Sequence, residues 1–83
     1  MAGQIGEGIL TKSEYVYNLD EFKEQGVRYV QYGANGYPLD SGGIVIYIGS
    51  LRIGIQVVCN GQHLSTRLNF NGSWDNSGWK SVY

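Results

Sequence analysis

From residue 27 onward, apolar and β-branched residues come in short runs separated by glycine and asparagine. Val27 to Tyr32 (VRYVQY), Ile44 to Ile48 (IVIYI), Leu51 to Cys59 and Gln62 to Phe70 all read as strands. Gly33 to Gly43 is a glycine-rich loop holding the only proline. Gly49-Ser50, Asn60-Gly61 and Asn71-Gly72 are tight-turn signals. Asn-Gly favours a type I′ hairpin, because both central residues need positive φ, and Gly-Ser fits type II′.

Two-residue loops would fix the register. Ile48 then faces Leu51, Ile46 faces Ile53 and Ile44 faces Ile55; in the next hairpin Cys59 faces Gln62, Val57 faces Leu64, Ile55 faces Thr66, Ile53 faces Leu68 and Leu51 faces Phe70. One face collects Ile44, Ile46, Ile48, Leu51, Ile53, Ile55, Val57, Cys59, Leu64, Leu68 and Phe70, and it is the predicted core of a three-stranded antiparallel meander. The second face carries Val45, Tyr47, Arg52, Gly54, Gln56, Val58, His63, Ser65, Arg67 and Asn69. Glycine weakens a strand interior, so Gly54 marks a place where something bulky lies close, either the Arg67 guanidinium or a partner chain.

Ahead of the strands, Asn18 to Gly26 (NLDEFKEQG) predicts the one short helix. Asn18 serves as N-cap, Glu21 sits where it can reach back to the cap, Leu19 and Phe22 form an apolar edge, and Gly26 is the left-handed exit. Two turns do not hold alone, so this helix must dock on the sheet. Residues 1–13 show no sustained period and read as a lead-in, leaving 14–83 as one domain. The predicted class is mainly β, of α+β type: a small antiparallel meander with one short helix near its N-terminus.

Composition adds a constraint on stability. An 83-residue chain leaves about 40% of its unfolded surface exposed, and domains of this size often draw on disulfides, metals or partner subunits. Cys59 is the only cysteine and His63 the only histidine, which removes an internal disulfide and argues against a structural zinc site. Oligomerisation is the remaining aid. Six Lys and Arg against seven Asp and Glu give a net charge of −1, which does not point to nucleic acid or an anionic membrane. No apolar run approaches the ~18 residues of a membrane span, and the N-terminus lacks the pattern of a signal peptide.

Catalysis finds little support. His63 has no acidic partner at a recognisable spacing. Glu21 and Glu24 read as capping and solvation, and Asp40 and Asp75 as loop residues bonded to their own backbone. The glycine loop at 33–43 lacks the Gly-Lys-Ser/Thr of a phosphate loop and the acidic density of a calcium loop. Cys59 reads as inert packing. No catalytic residue, metal or cofactor is expected. Binding fits better: only 16% of residues are charged, and tyrosine, tryptophan, amides and glycine fill the remainder. Such surfaces suit carbohydrates, whose C–H faces stack on rings, and wet protein interfaces. The candidate binding residues are Tyr47, Arg52, Gln56, His63, Arg67, Trp74 and Trp79, although in a domain with so few large residues Trp74 and Trp79 read more readily as core or edge-sealing groups.

Several of these elements, in order, resemble a known module. Leu19-Asp-x-Phe22 followed by Gly26-Val-x-Tyr29-Val30, then Pro38 in its glycine-rich loop, the apolar strand at 44–48, strands bearing Gln56 and Arg67, and the ending Asn71-Gly-Ser-Trp74…Trp79-Lys80 are similar to the pyocin knob family of phage tail fibres. The resemblance covers about residues 15–83, and the gap between the two tryptophans is longer than usual for it. It implies a homotrimeric, non-enzymatic distal domain of a bacteriophage tail fibre or bacteriocin fibre. Such a domain would act as a receptor-binding protein, adhering to a bacterial surface glycan or protein receptor and joined to other fibre or tail proteins. It would be assembled in the bacterial cytoplasm and carried on the virion, with residues 1–13 as the end of the fibre shaft. Two alternatives stay open: a structural module that trimerises or caps the fibre, and a carbohydrate-binding module of a non-phage protein.

Overall fold

A computed structural model describes residues 14–83; the lead-in predicted over 1–13 lies outside the described residues. Among the described residues, seven strands form one sheet: β1 (Tyr15–Asn18), β2 (Gly26–Asn35), β3 (Gly43–Gly49), β4 (Ile53–Cys59), β5 (Leu64–Phe70), β6 (Ser73–Trp74) and β7 (Lys80–Ser81). Their order is β1-β2-β3-β4-β5-β6, with β7 also pairing β5. β1 runs parallel to β2, and every other pair is antiparallel. The mainly-β class and the β3-β4-β5 meander agree with the sequence.

The helix does not form as expected. Asn18 does cap, its Oδ1 accepting from the Asp20 amide at 3.1 Å, but only a 3₁₀ turn follows, over Leu19–Glu21. Gly26 is no helix exit; it opens β2. The cause is the parallel pairing of β1 with β2. Tyr15 lies beside Tyr29, so the chain leaving β1 must return across the sheet to Gly26 within residues 19–25. A parallel crossover usually takes a dozen or more residues, and this one has room for a single tight turn.

Both main hairpins differ from the expected register, the first by four residues and the second by two. Ile48 faces Ile55, Ile46 faces Val57 and Ile44 faces Cys59. Beyond the next turn Cys59 faces Leu64, Val57 faces Thr66, Ile55 faces Leu68 and Ile53 faces Phe70. Side chains at the turns explain the longer loops. Ser50 Oγ accepts from the amides of Arg52 and Ile53 at 3.2 and 3.3 Å, and Asn60 Oδ1 accepts from those of Gln62 and His63 at 2.9 and 2.8 Å. Ser and Asn thus bond forward along their own backbone and hold wider turns than the Gly-Ser and Asn-Gly pairs imply. At Asn71-Gly72 the two-residue turn stands as expected: φ is 57° and 86°, and Phe70 pairs Ser73. Because the slip is even, each strand residue keeps its predicted face. Leu51, Arg52 and His63 move into turns.

The larger correction concerns which face is closed. The predicted core lies open: Ile48, Ile53, Leu68 and Phe70 are 54–72% exposed, and Leu51 in its turn 70%. The buried apolar residues are instead Leu19, Phe22, Val30, Val45, Tyr47 and Val58, with Tyr37, Leu39, Trp74 and Trp79 packed against them. The segments at 19–25 and 36–42 and the C-terminal stretch all lie over this second face. Such connections carry carbonyls that no neighbouring strand satisfies, so the groups around them must supply donors. Gln56 Nε2 donates to the carbonyls of Leu19 (2.9 Å) and Phe22 (3.2 Å), Trp74 Nε1 to that of Asp20 (2.9 Å) and Trp79 Nε1 to that of Gly36 (2.8 Å). The loop-facing side is therefore the more polar one. The crowding foreseen at Gly54 is present, but its cause is Tyr47: an added Cβ would overlap the Tyr47 ring and hydroxyl and come within 2.7 Å of the Ile48 carbonyl oxygen.

Candidate functional site

Side chains on β5 alternate, so Ser65, Arg67 and Asn69 all point into the closed side, and Arg67 is its centre. Its guanidinium lies between two indoles, 3.9 Å from the Trp74 ring and 4.5 Å from the Trp79 ring. In its own plane Nε donates to Gln56 Oε1 at 2.8 Å and Nη1 to Asp20 Oδ1 at 3.0 Å. Arg67 is only 7% exposed. Burial pushes its pKa down from the ordinary value, while the Asp20 carboxylate opposes that shift. A planar cation with two indole rings against it and acceptors along its edge uses the properties that separate arginine from lysine.

The same cluster ties the connections to the sheet. Asp20 Oδ2 accepts from Asn35 Nδ2 at 3.1 Å, which also donates to Asn18 Oδ1 at 2.7 Å. Lys23 Nζ donates to the Gly72 carbonyl at 2.7 Å and lies 5.4 Å from the Trp74 ring. Gly36 has φ of 81°, and a side chain there would meet Asp20 Oδ1 at 2.7 Å. Next to the cluster the Tyr47 hydroxyl donates to the Ser50 carbonyl and accepts from Asn69 Nδ2 at 2.9 Å. Arg67 Nη2 and Asn69 Oδ1 are the buried polar side-chain atoms left without a partner among the described residues.

The structure divides the sequence-predicted binding residues into three groups. Tyr47, Gln56, Arg67, Trp74 and Trp79 meet in or beside this cluster, with Tyr47 and Gln56 fully buried and Trp74 and Trp79 half-buried. Arg52 sits in the turn between β3 and β4, where Nη2 donates to Asn71 Oδ1 at 2.8 Å. His63 lies at the far end of β4, exposed in the turn before β5. The seven positions therefore do not form one surface. Side chains with no accessible area contact loops rather than a ligand, and their chemistry is to fix the loops.

Sequence reasoning missed two sets of residues. Asp20, Asn18, Asn35 and Lys23 complete the arginine cluster; the Asp20 side chain, placed in a supposed helix, gave no sign of it. The accessible aromatic group lies elsewhere, on β1 and β2. Tyr15 packs against Tyr29 at 5.6 Å and against Tyr17 at 6.4 Å between ring centroids, and Tyr17 and Tyr32 are 69% and 71% exposed. Alternation of tyrosine at 15 and 17 was the available signal. No protein-family model, curated protein or solved structure matches this chain.

Proposed function

We propose that this chain is a non-enzymatic adhesion domain at the distal end of a bacteriophage tail fibre, assembled from three copies and binding a glycan on the bacterial surface. One observation carries the reading. Leu19, Phe22, Gln56, Arg67, Trp74 and Trp79, which bear much of the resemblance to the pyocin knob family, are scattered along the chain yet meet in one cluster. The resemblance therefore falls on the residues that fix the loops to the sheet. The exposed tyrosines on β1 and β2 supply the ring faces on which sugar C–H groups stack.

The test is adsorption of the labelled full chain to a panel of whole bacteria, with purified lipopolysaccharide or teichoic acid as competitor. Saturable binding competed by one glycan and lost in Tyr17→Ala is the expected result. Adsorption to no strain overturns the adhesion reading. A second reading, a structural module that trimerises or caps the fibre, is favoured by the internal engagement of Tyr47, Gln56 and Arg67. In that case substitutions at the exposed tyrosines change assembly or melting and leave adsorption by complete fibres intact.

A further inference from the structure

The open face of the sheet has an apolar centre and a polar rim. Ile44, Ile46 and Ile48 on β3, Ile53, Ile55 and Val57 on β4, and Leu68 and Phe70 on β5 share it through their cross-strand pairs. With a full accessible surface of about 200 Å² for each large side chain, Ile48, Ile53, Leu68 and Phe70 together with Leu51 leave on the order of 600 Å² of apolar surface in solvent. That stands at the top of the about 300–600 Å² of the largest apolar patch on a monomer and approaches the ~800 Å² that each partner contributes to a standard interface.

We infer that this face is an interface between copies of this chain. Three observations select that occupant. No position on this face of β2, β3, β4 or β5 is charged; Arg28 and Arg67 both lie on the closed side, so a partner chosen by charge finds nothing to read. The rim fits an interface, with Tyr15 and Tyr29 at one edge and Lys80, paired to Thr66, at the other. Finally, among the described residues the closed side buries six apolar side chains, and with Cys59 the only cysteine no internal disulfide can supplement them. A chain short of internal core while offering an apolar face is the pattern of an obligate subunit, whose interface resembles a core cut in half. The inference rests on the fibre reading for the number of copies, three; the location of the interface stands on exposure and charge.

The test follows the mass of the full chain by analytical ultracentrifugation over a dilution series, beside Ile53→Lys and Leu68→Glu. Both positions are more than half exposed in the single chain, so the variants should keep the wild-type far-UV circular dichroism. Wild type is expected as three copies at micromolar concentration, with a melting temperature that rises with concentration. Each variant should weaken association by at least ~100-fold, the effect of losing an interface hot spot, and lose the concentration dependence. A full chain that remains monomeric overturns the inference and assigns the face to its own first 13 residues or to a different protein. Variants that associate as well as wild type overturn it by placing contacts elsewhere. Dimers broken by both substitutions support the interface and overturn the threefold fibre. Cell adsorption, read separately, distinguishes the two proposals: an adsorbing monomer defeats the interface and the threefold assembly but leaves adhesion standing, and a trimer that adsorbs to no cell defeats adhesion alone.

Discussion

Gly54→Ala tests the packing of the closed side through one carbon atom. The new Cβ would overlap the Tyr47 ring and hydroxyl and stand 2.7 Å from the backbone oxygen of Ile48. Tyr47 has no accessible surface, its ring packs edge-on to Phe22 and Trp74 at 6.3 and 6.2 Å, and its hydroxyl bridges Ser50 and Asn69, so it has little room to retreat. Overpacking of this kind costs about 1–3 kcal/mol, and displacing the hydroxyl adds about 1 kcal/mol for each of its two hydrogen bonds. We expect Gly54→Ala to lose about 3–5 kcal/mol of unfolding free energy, measured by urea denaturation followed by circular dichroism at fixed chain concentration. Tyr47→Phe removes the nearest clashing atom. It should cost about 2 kcal/mol by itself, about 1 for each hydrogen bond, and recover at least ~1 kcal/mol in the double variant. A Gly54→Ala protein within about 0.5 kcal/mol of wild type, or strictly additive effects in the cycle, would refute the packing argument.

Other consequences can be checked as directly. Arg67→Ala leaves the fully buried Gln56 oxygen without its donor and removes the cation from between two indoles; the Asp20 pair adds little, because Asp20 is about half exposed. A loss of about 3–4 kcal/mol is expected in the same denaturation assay, with Arg67→Lys recovering only a minor part, and full recovery by lysine would refute the role of the planar guanidinium. The Asp75 carboxyl is held below the usual carboxylate range, first by the Ser77 hydroxyl. Since its folded value lies below the unfolded one, its contribution is present above the unfolded value and fades as pH falls through the folded one. An NMR titration should find Asp75 below an ordinary aspartate, and Ser77→Ala should bring it back up; an unmoved midpoint refutes this.

The approximate places of β2 to β5, the faces of individual residues, the Asn71-Gly72 turn and the crowding at Gly54 were legible in the sequence because each depends on local rules: alternation, positive φ and the absence of a Cβ; β1, β6 and β7, too short to show a period, were not. The two longer turns were not, because Ser50 and Asn60 bond their own backbone in ways the dipeptide preference does not encode. The helix failed for a reason found only in three dimensions, the parallel seating of β1. The choice of closed face failed most instructively. Hydrophobicity marks the side that must leave water, whether within one chain or between several, and here the side facing the chain's own loops had to be polar enough to bond their carbonyls. Ile53 therefore reads as core in the sequence and lies exposed in the single chain. Of the candidate site, Gln56, Arg67 and both tryptophans were identified, but their role as loop anchors depended on Asp20 and on carbonyls that no motif announces.

The chain has two tryptophans, and both rest against one guanidinium on the closed side. The open face and its margin carry tyrosines instead, at positions 15 and 29. Tryptophan is thus confined to the closed side, whereas tyrosine lies on both, with Tyr47 inside the cluster. Indole emission therefore reports, in an unlabelled sample, whether the loops remain anchored to the sheet.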